Sequence, residues 1–268
     1  MAYAHVNGIK LYYEIMGEGP PLVMIMGLGA NKDWWHPRML GMLQKEFQLV
    51  LLDNRGAGRS DKPRGEQSIA LMASDVVGLM GHLALDRANV LGVSMGGMIA
   101  QEIAASYPEL VERLVLCCTH CGGKESIPPS SEILKLLVSP REGRSVQQIA
   151  RDSLPLLFPA GYLEAHPDAA ERFIATYSIA PSPAHAFYQQ LQAIAQWGIF
   201  GRLREIRCPT LVLAGEEDVL VPPENSRILE RQIPGARSIS YPGMGHGFAA
   251  QAPERVTRDI LRFLRGGL

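Results

Sequence analysis

Residues 88–107 read ANVLGVSMGGMIAQEIAASY. The segment opens as a short apolar run (Val90, Leu91, Val93), crosses a glycine-dense turn, and continues in helix-forming residues until Pro108 stops it. At the turn stands Gly92-Val93-Ser94-Met95-Gly96, a full G-x-S-x-G, with Gly97 behind it. A serine alcohol is a weak nucleophile unless it is exposed, held still and served by a base. A sharp strand-to-helix turn exposes it by forcing a strained backbone, and flanking glycines keep neighbouring side chains away. The helix that follows aims its first N–H groups at the point where negative charge would develop. A bare pentapeptide of this pattern also fits any glycine-rich βα turn; the strand before it and the helix after it single this one out.

Working outward, the chain alternates buried strands and helices. Tyr3–Val6 and Ile9–Ile15 flank Asn7-Gly8, a hairpin signal. Leu22–Met26 is an unbroken apolar run suited to a strand covered on both faces, and it ends in Gly27-Leu28-Gly29. A helix over His36–Lys45, a strand over Gln48–Leu52, the loop DNRGAGRSD (Asp53–Asp61) and a helix over Gln67–Leu83 lead to the central turn. Beyond it, strands are expected at Leu114–Cys118, Thr210–Ala214 and Ser238–Tyr241, with helices at Pro223–Gln232 and Pro253–Arg265. Between Gly122 and Arg207 prolines break short helical stretches and no buried strand pattern appears, which reads as a helical insertion over a sheet. Fully apolar strands alternating with helices imply a mostly parallel sheet with helices on both faces. In such sheets the chemistry sits in loops at the strand C-termini, where Ser94 lies.

The 268 residues suit one large domain carrying an insertion, and 47% hydrophobic residues suffice for a substantial core. Lys plus Arg number 26 against 27 Asp plus Glu, so no nucleic-acid surface is expected. The N-terminal sequence lacks the basic start and apolar core of a signal peptide, and no apolar run reaches the ~18 residues of a membrane span. The expectation is a soluble, cytoplasmic protein without a membrane partner; oligomeric state is left open. Cys117, Cys118 and Cys121 fall in CCTHC, but a structural zinc site wants four well-placed ligands and a redox C-x-x-C would open a helix. Reduced, buried thiols are expected, and no metal or organic cofactor.

Ser94 needs a base. Of seven histidines, His246 sits in the glycine-rich loop Gly243–Phe248 between the last strand and the last helix; His120, also after a strand end, is its competitor. The imidazole needs an acid to fix its tautomer. Glu216-Glu217-Asp218 follows the Thr210–Ala214 strand, and the chain order serine, acid, histidine assigns that loop to it, with Asp218 first and Glu217 second. Two backbone donors are expected to hold the oxyanion: Met95 N–H at the start of the helix and Leu28 N–H in the glycine loop.

Four motifs now stand together: Gly92–Gly97, the Asp53–Asp61 loop, Gly215-x-x-Asp218-x-x-x-Pro222, and Gly245-His246. Through them the chain resembles the α/β-hydrolases over nearly its whole length. The resemblance implies an eight-stranded sheet, a core of residues 1–121 and 208–268, a helical lid at 122–207 between strands six and seven, and a Ser94–His246–Asp218 triad. It also implies that Asp53 and Arg55 brace loops behind the site. One departure is Met26-Gly27, where relatives commonly carry His-Gly. A serine nucleophile argues against dehalogenases and epoxide hydrolases of this fold, which use aspartate. The chain is similar to small carboxylesterases and 3-oxoadipate enol-lactonases.

The expected activity is serine-dependent hydrolysis of carboxylic esters or lactones. Trp34, Trp35, Met98, Trp197, Val219, Leu220 and Phe248 are expected to line an apolar pocket, with Phe173 and Phe187 from the lid, so neutral substrates are favoured. An inward-turned Arg141, Arg144, Arg151 or Arg172 would instead hold a substrate carboxylate, as an enol-lactonase requires. A cofactor-free haloperoxidase or perhydrolase and a receptor-like binding protein are the other readings.

Overall fold

The computed structural model describes residues 2–267. Its eight strands are β1 (Ala2–Val6), β2 (Ile9–Met16), β3 (Pro21–Ile25), β4 (Gln48–Leu52), β5 (Ala88–Val93), β6 (Val111–Cys117), β7 (Thr210–Gly215) and β8 (Arg237–Tyr241). They form one sheet in the order β1-β2-β4-β3-β5-β6-β7-β8. The first hairpin turns at Asn7-Gly8, both with positive φ (46° and 76°), the geometry that brings Val6 opposite Ile9. β2 meets β4 antiparallel, and every pairing from β4 to β8 is parallel.

The apolar runs are continuous because the sheet is buried on both faces. Successive residues alternate between two cores: Val23 and Ile25 pack into one, Leu22 and Met24 into the other. The helices are α1 (Pro37–Leu43), α2 (Ile69–His82), α3 (Met95–Ser106), α4 (Ser131–Leu137), α5 (Val146–Leu157), α6 (Ala160–Ala165), α7 (Pro167–Tyr177), α8 (Ala184–Gln196), α9 (Glu224–Gln232), α10 (Phe248–Gln251) and α11 (Pro253–Leu264). α2, α3 and α9 contribute to the first core, α1 and α11 to the second. Helix ends fall where caps put them: Ser68 Oγ accepts Leu71 N–H, and His36 Nδ1 accepts Arg38 N–H at 3.2 Å. His36 is therefore a cap rather than the first residue of its helix. α10, a single turn, was not expected from the sequence.

All of α4–α8 lies between β6 and β7. The excursion leaves and returns at one point. Gly122 bridges Gly198, Gly123 N–H donates to Trp197 O (3.0 Å), and Ile199 N–H donates to Cys121 O (2.8 Å). Among the described residues, no helix is long and apolar enough to cross a membrane.

Candidate active site

Ser94 is the hinge between β5 and α3, with φ 55° and ψ −119°. A non-glycine residue there carries strain on the order of 1–3 kcal/mol, so neighbours must over-determine it. They do. Ser94 N–H donates to Cys117 O (2.9 Å), and Ser94 O accepts Gly97 N–H (2.8 Å) and Thr119 Oγ1–H (2.8 Å). The glycines follow from close approach. A Cβ at Gly96 would stand 2.1 Å from Ile25 O, and one at Gly92 2.2 Å from Gly96 O.

His246 lies in the loop between β8 and α10, and Asp218 in the loop after β7. His246 Nδ1 and Asp218 Oδ2 are 2.7 Å apart, both residues buried. Asp218 Oδ1 accepts Leu220 N–H (2.9 Å) and Val221 N–H (2.8 Å), so both carboxylate oxygens are engaged and the side chain cannot rotate freely. With Nδ1 turned to the carboxylate, Nε2 is the ring nitrogen left for chemistry. Ser94 and His246 line one cavity of about 490 Å³. Glu217, the second choice for the acid, lines a separate hollow with Glu216, Asp218 and Val219, and no hydrogen bond joins it to His246.

His120 is held elsewhere. Its Nδ1 accepts Gly122 N–H at 3.0 Å, and it is absent from the cavity wall. Burial, reinforced by nearby His246, pushes its pKa down to about 4. All four cysteines are free and buried. Burial raises Cys117 to about 12, and Cys121 and Cys208 to about 11.

The fold does assemble a triplet that the sequence reading did not anticipate: ligand-type atoms of Cys118, Asp218 and His246 lie within 4.8 Å of one another. Burial first, and the adjacent Asp218 charge second, hold Cys118 well above the ordinary thiol range. Asp218 and His246 already engage each other through Oδ2 and Nδ1.

Gly27–Ala30 forms a turn after β3, closed by Ala30 N–H to Gly27 O (3.2 Å). Leu28 faces the cavity. A Cβ at Gly27 would stand 3.1 Å from Ser94 Cβ, which sets how close this loop comes to the serine. The Met26-Gly27 departure is accommodated: Met26 lines the cavity and its carbonyl accepts Asn54 Nδ2–H at 2.8 Å. Behind the loop, buried Asp53 accepts Lys32 N–H and Arg59 N–H, each at 2.7 Å. Arg55 forms a buried ion pair with Asp75. Neither Asp53 nor Arg55 lines the cavity.

Of the pocket residues expected from sequence, Trp34, Trp35 and Leu220 line the cavity; Met98, Trp197, Val219 and Phe248 do not. Met98, on α3, points into the core beneath the sheet. Trp197 sits at the neck of the excursion, where its Nε1–H donates to Glu102 Oε2 (3.0 Å). Val219 turns outward, 43% exposed. Phe248 stacks on Tyr241 in the second core. Helical and loop periodicity from sequence does not say which way such residues face once the neck is tied.

Their places are taken by residues of α5 and α7. Phe173 meets Trp34 edge-on, and Phe158 and Tyr177 flank it. Arg141 and Arg172 also line the cavity. Arg172 pairs with Asp168 and Arg144 with Asp152, while Arg151 is exposed. Arg141 has no carboxylate partner among the described residues; it lies over the Phe187 ring (3.3 Å to the centroid) and donates to Tyr177 OH (2.6 Å).

Comparison with known proteins agrees with this architecture. Over 263 residues the chain is 31% identical to a Caulobacter sp. (strain K31) protein named as carbamate hydrolase RutD, covering 96% of each. It is 31% identical to the poly(3-hydroxyalkanoate) depolymerase of Ectopseudomonas oleovorans over 91% of this chain and 84% of the other. The enol-lactonase of Burkholderia xenovorans LB400 superposes with a TM-score of 0.86 at 29% identity, covering 98% of this chain and all of that one. The family model for the alpha/beta hydrolase fold matches residues 20–253, and the chain belongs to that family as a hydrolase.

Proposed function

We propose that the protein hydrolyses carboxylic esters or lactones through an acyl-enzyme on Ser94, with His246 as base and Asp218 as its orienting acid. The observation that carries this reading is the buried 2.7 Å Asp218–His246 pair opening onto the cavity that also exposes strained Ser94. Ser94 Oγ attacks the carbonyl carbon while His246 Nε2 takes its proton. The tetrahedral oxyanion rests on Met95 and Leu28 N–H. Collapse breaks the C–O bond, and His246 returns the proton to the leaving alkoxide. Water then repeats the attack, freeing the acid and restoring Ser94.

The α4–α8 excursion acts as the lid of this site, and the cavity it covers is walled by Trp34, Trp35, Phe158, Phe173 and Leu220, which favours neutral acyl or alcohol groups. Each methylene buried against them contributes about 0.8 kcal/mol. Carbamates share the acyl carbon and belong in the same assays. Ser94→Ala and His246→Ala are each expected to lower kcat by ~10⁴–10⁶, because they act as one unit; His120→Ala leaves chemistry intact. Folded Ser94→Ala that kept more than a few per cent of wild-type activity would end this reading.

Arg141 favours a second reading, a substrate carrying a carboxylate remote from the scissile bond. It is the cavity arginine without a carboxylate partner, and its planar fork suits bidentate recognition. Comparing kcat/KM for a neutral lactone and its carboxylate-bearing analogue, in wild type and Arg141→Met, decides between the two.

A further inference from the structure

The Gly27–Ala30 turn has one closing bond of its own, Ala30 N–H to Gly27 O, and is otherwise held from outside. Its Gly29 peptide groups are occupied from the opposite side of the cavity, by the excursion between β6 and β7. Gly29 N–H donates to Gln190 Oε1 (2.8 Å), and Gly29 O accepts Ser182 Oγ–H (3.0 Å). The next residue but one is tied too, since Asn31 Nδ2–H donates to Ile179 O (2.8 Å) and Ala180 O (3.1 Å). Gln190 is fully buried on α8, an unusual place for an amide unless both ends are used. They are: Nε2–H donates to Arg55 O at 2.7 Å. One side chain therefore spans the loop that follows β3 and the loop that follows β4.

The packing leaves room for nothing else. Gly29 has φ 66°, and a Cβ there would stand 3.0 Å from Phe187 Cδ2; a Cβ at Gly56 would stand 3.3 Å from Gln190 Nε2. Helix α8 is thus seated on two glycines, with Gln190 pointing between them. The peptide that precedes Gly29 carries the Leu28 carbonyl, and its plane is fixed by the Gly29 N–H bond. Leu28 N–H belongs to the peptide between that plane and the one held by the Met26 O–Asn54 bond; the carbonyl of the same peptide, Gly27 O, accepts Ala30 N–H (3.2 Å), so seating Gly29 steadies the turn that aims Leu28 N–H.

We propose that Gln190 is a positioning residue for acyl transfer: from the helical excursion it fixes the Gly27–Ala30 loop so that Leu28 N–H faces the oxyanion. It touches no substrate, and it is absent from the cavity wall. The proposal rests on the Ser94 acyl-enzyme reading and adds to it that the second oxyanion donor is assembled only when α8 is seated. Without Gln190 the Gly29 N–H must find another acceptor, and the turn loses the bond that fixes the peptide plane next to Leu28 N–H. Removing one oxyanion donor costs ~10²–10³ in kcat in serine hydrolases.

The test compares Gln190→Met, which keeps length and removes both hydrogen bonds, with Gln190→Glu. A neutral glutamic acid can restore both bonds, its carbonyl accepting Gly29 N–H and its hydroxyl donating to Arg55 O; a carboxylate cannot donate. With an activated ester, Gln190→Met is expected to lose ~10²–10³ in kcat, with KM changed by no more than a few-fold. Affinity for a boronic acid that adds to Ser94 should fall in parallel with kcat. The ratio of Gln190→Glu to wild-type kcat should be highest at the acid end of the active range and decline as pH rises. Folded Gln190→Met with kcat within three-fold of wild type, or with the loss confined to KM, overturns the proposal. So does a Gln190→Glu ratio that does not change with pH, which also serves if the methionine variant does not fold. Ser94→Ala, run alongside, separates the two levels: an active Ser94→Ala sinks the acyl-enzyme reading, whereas an inactive one beside an unimpaired Gln190→Met sinks only the role of Gln190.

Discussion

Replacing Asp218 by asparagine changes one oxygen to an NH₂ group, and the structure says which one. Oδ1 accepts two backbone N–H groups, from Leu220 and Val221, at 2.9 and 2.8 Å. An amide nitrogen placed there would face two donors, so the asparagine oxygen takes that position and its NH₂ faces His246. Nδ1 of His246 must then accept rather than donate, and the ring proton moves to Nε2. In that tautomer Nε2 cannot take the Ser94 proton. The loss expected is ~10⁴ in kcat, equivalent to ~5.5 kcal/mol of transition-state stabilisation, the size seen when the same inversion is made in a chymotrypsin-type triad. Binding is little altered, because Asp218 contributes no surface to the cavity. The assay is steady-state hydrolysis of an activated ester by Asp218→Asn and Glu217→Gln, with thermal unfolding of both to show that they fold. An Asp218→Asn variant retaining more than a tenth of wild-type kcat, or a Glu217→Gln variant losing more, would refute the reasoning.

Other expectations follow from the surroundings of the site. His120, with its pKa depressed to about 4, takes up its proton later than in the unfolded chain, so stability is full above about pH 6.5 and falls as pH drops toward 4. The effect is worth up to ~3 kcal/mol, and urea unfolding of His120→Gln should show a flatter acid limb than wild type. Gly96→Ala should cost at least ~1–3 kcal/mol or abolish folding, since the new methyl falls 2.1 Å from Ile25 O; an unfolding midpoint equal to wild type would contradict the elbow packing. Prolonged treatment with EDTA should leave kcat unchanged, because Asp218 Oδ2 and His246 Nδ1 engage each other; a loss restored by a divalent cation would give the Cys118 triplet a different role.

The sequence made the sheet legible because its central strands β3, β4 and β7 are nearly unbroken apolar runs and each functional loop is marked by glycine. Ser94, His246 and Asp218 could be picked by their places after β5, β8 and β7, and the structure brings Asp218 into contact with His246, which shares one cavity with Ser94. The cavity wall was less legible. Trp197 and Phe248 carry the composition of a pocket, yet one is tied to Glu102 at the neck and the other lies against Tyr241 in the core. Phe158 follows α5 and Tyr177 ends α7, and the orientation of both depends on how the excursion folds back on the sheet. Gln190 carried no signal at all. A glutamine in the middle of an amphipathic helix reads as solvent-facing, and only tertiary structure shows both ends of its amide taken by backbone. Arg141 was one of four candidates; what distinguishes it is that it lines the cavity and, among the described residues, has no carboxylate partner, a fact of three-dimensional placement.

The central claim is that Ser94 is the nucleophile and His246 its base. It is tested most directly by reacting the protein with a fluorophosphonate and weighing the intact chain and its peptides by mass spectrometry. The account predicts one phosphonyl group per chain, located on the peptide at Ser94. Labelling should be absent in Ser94→Ala, slowed by several orders of magnitude in His246→Ala, and unchanged in His120→Ala. Labelling at another residue, or labelling of Ser94→Ala at the wild-type rate, would contradict it.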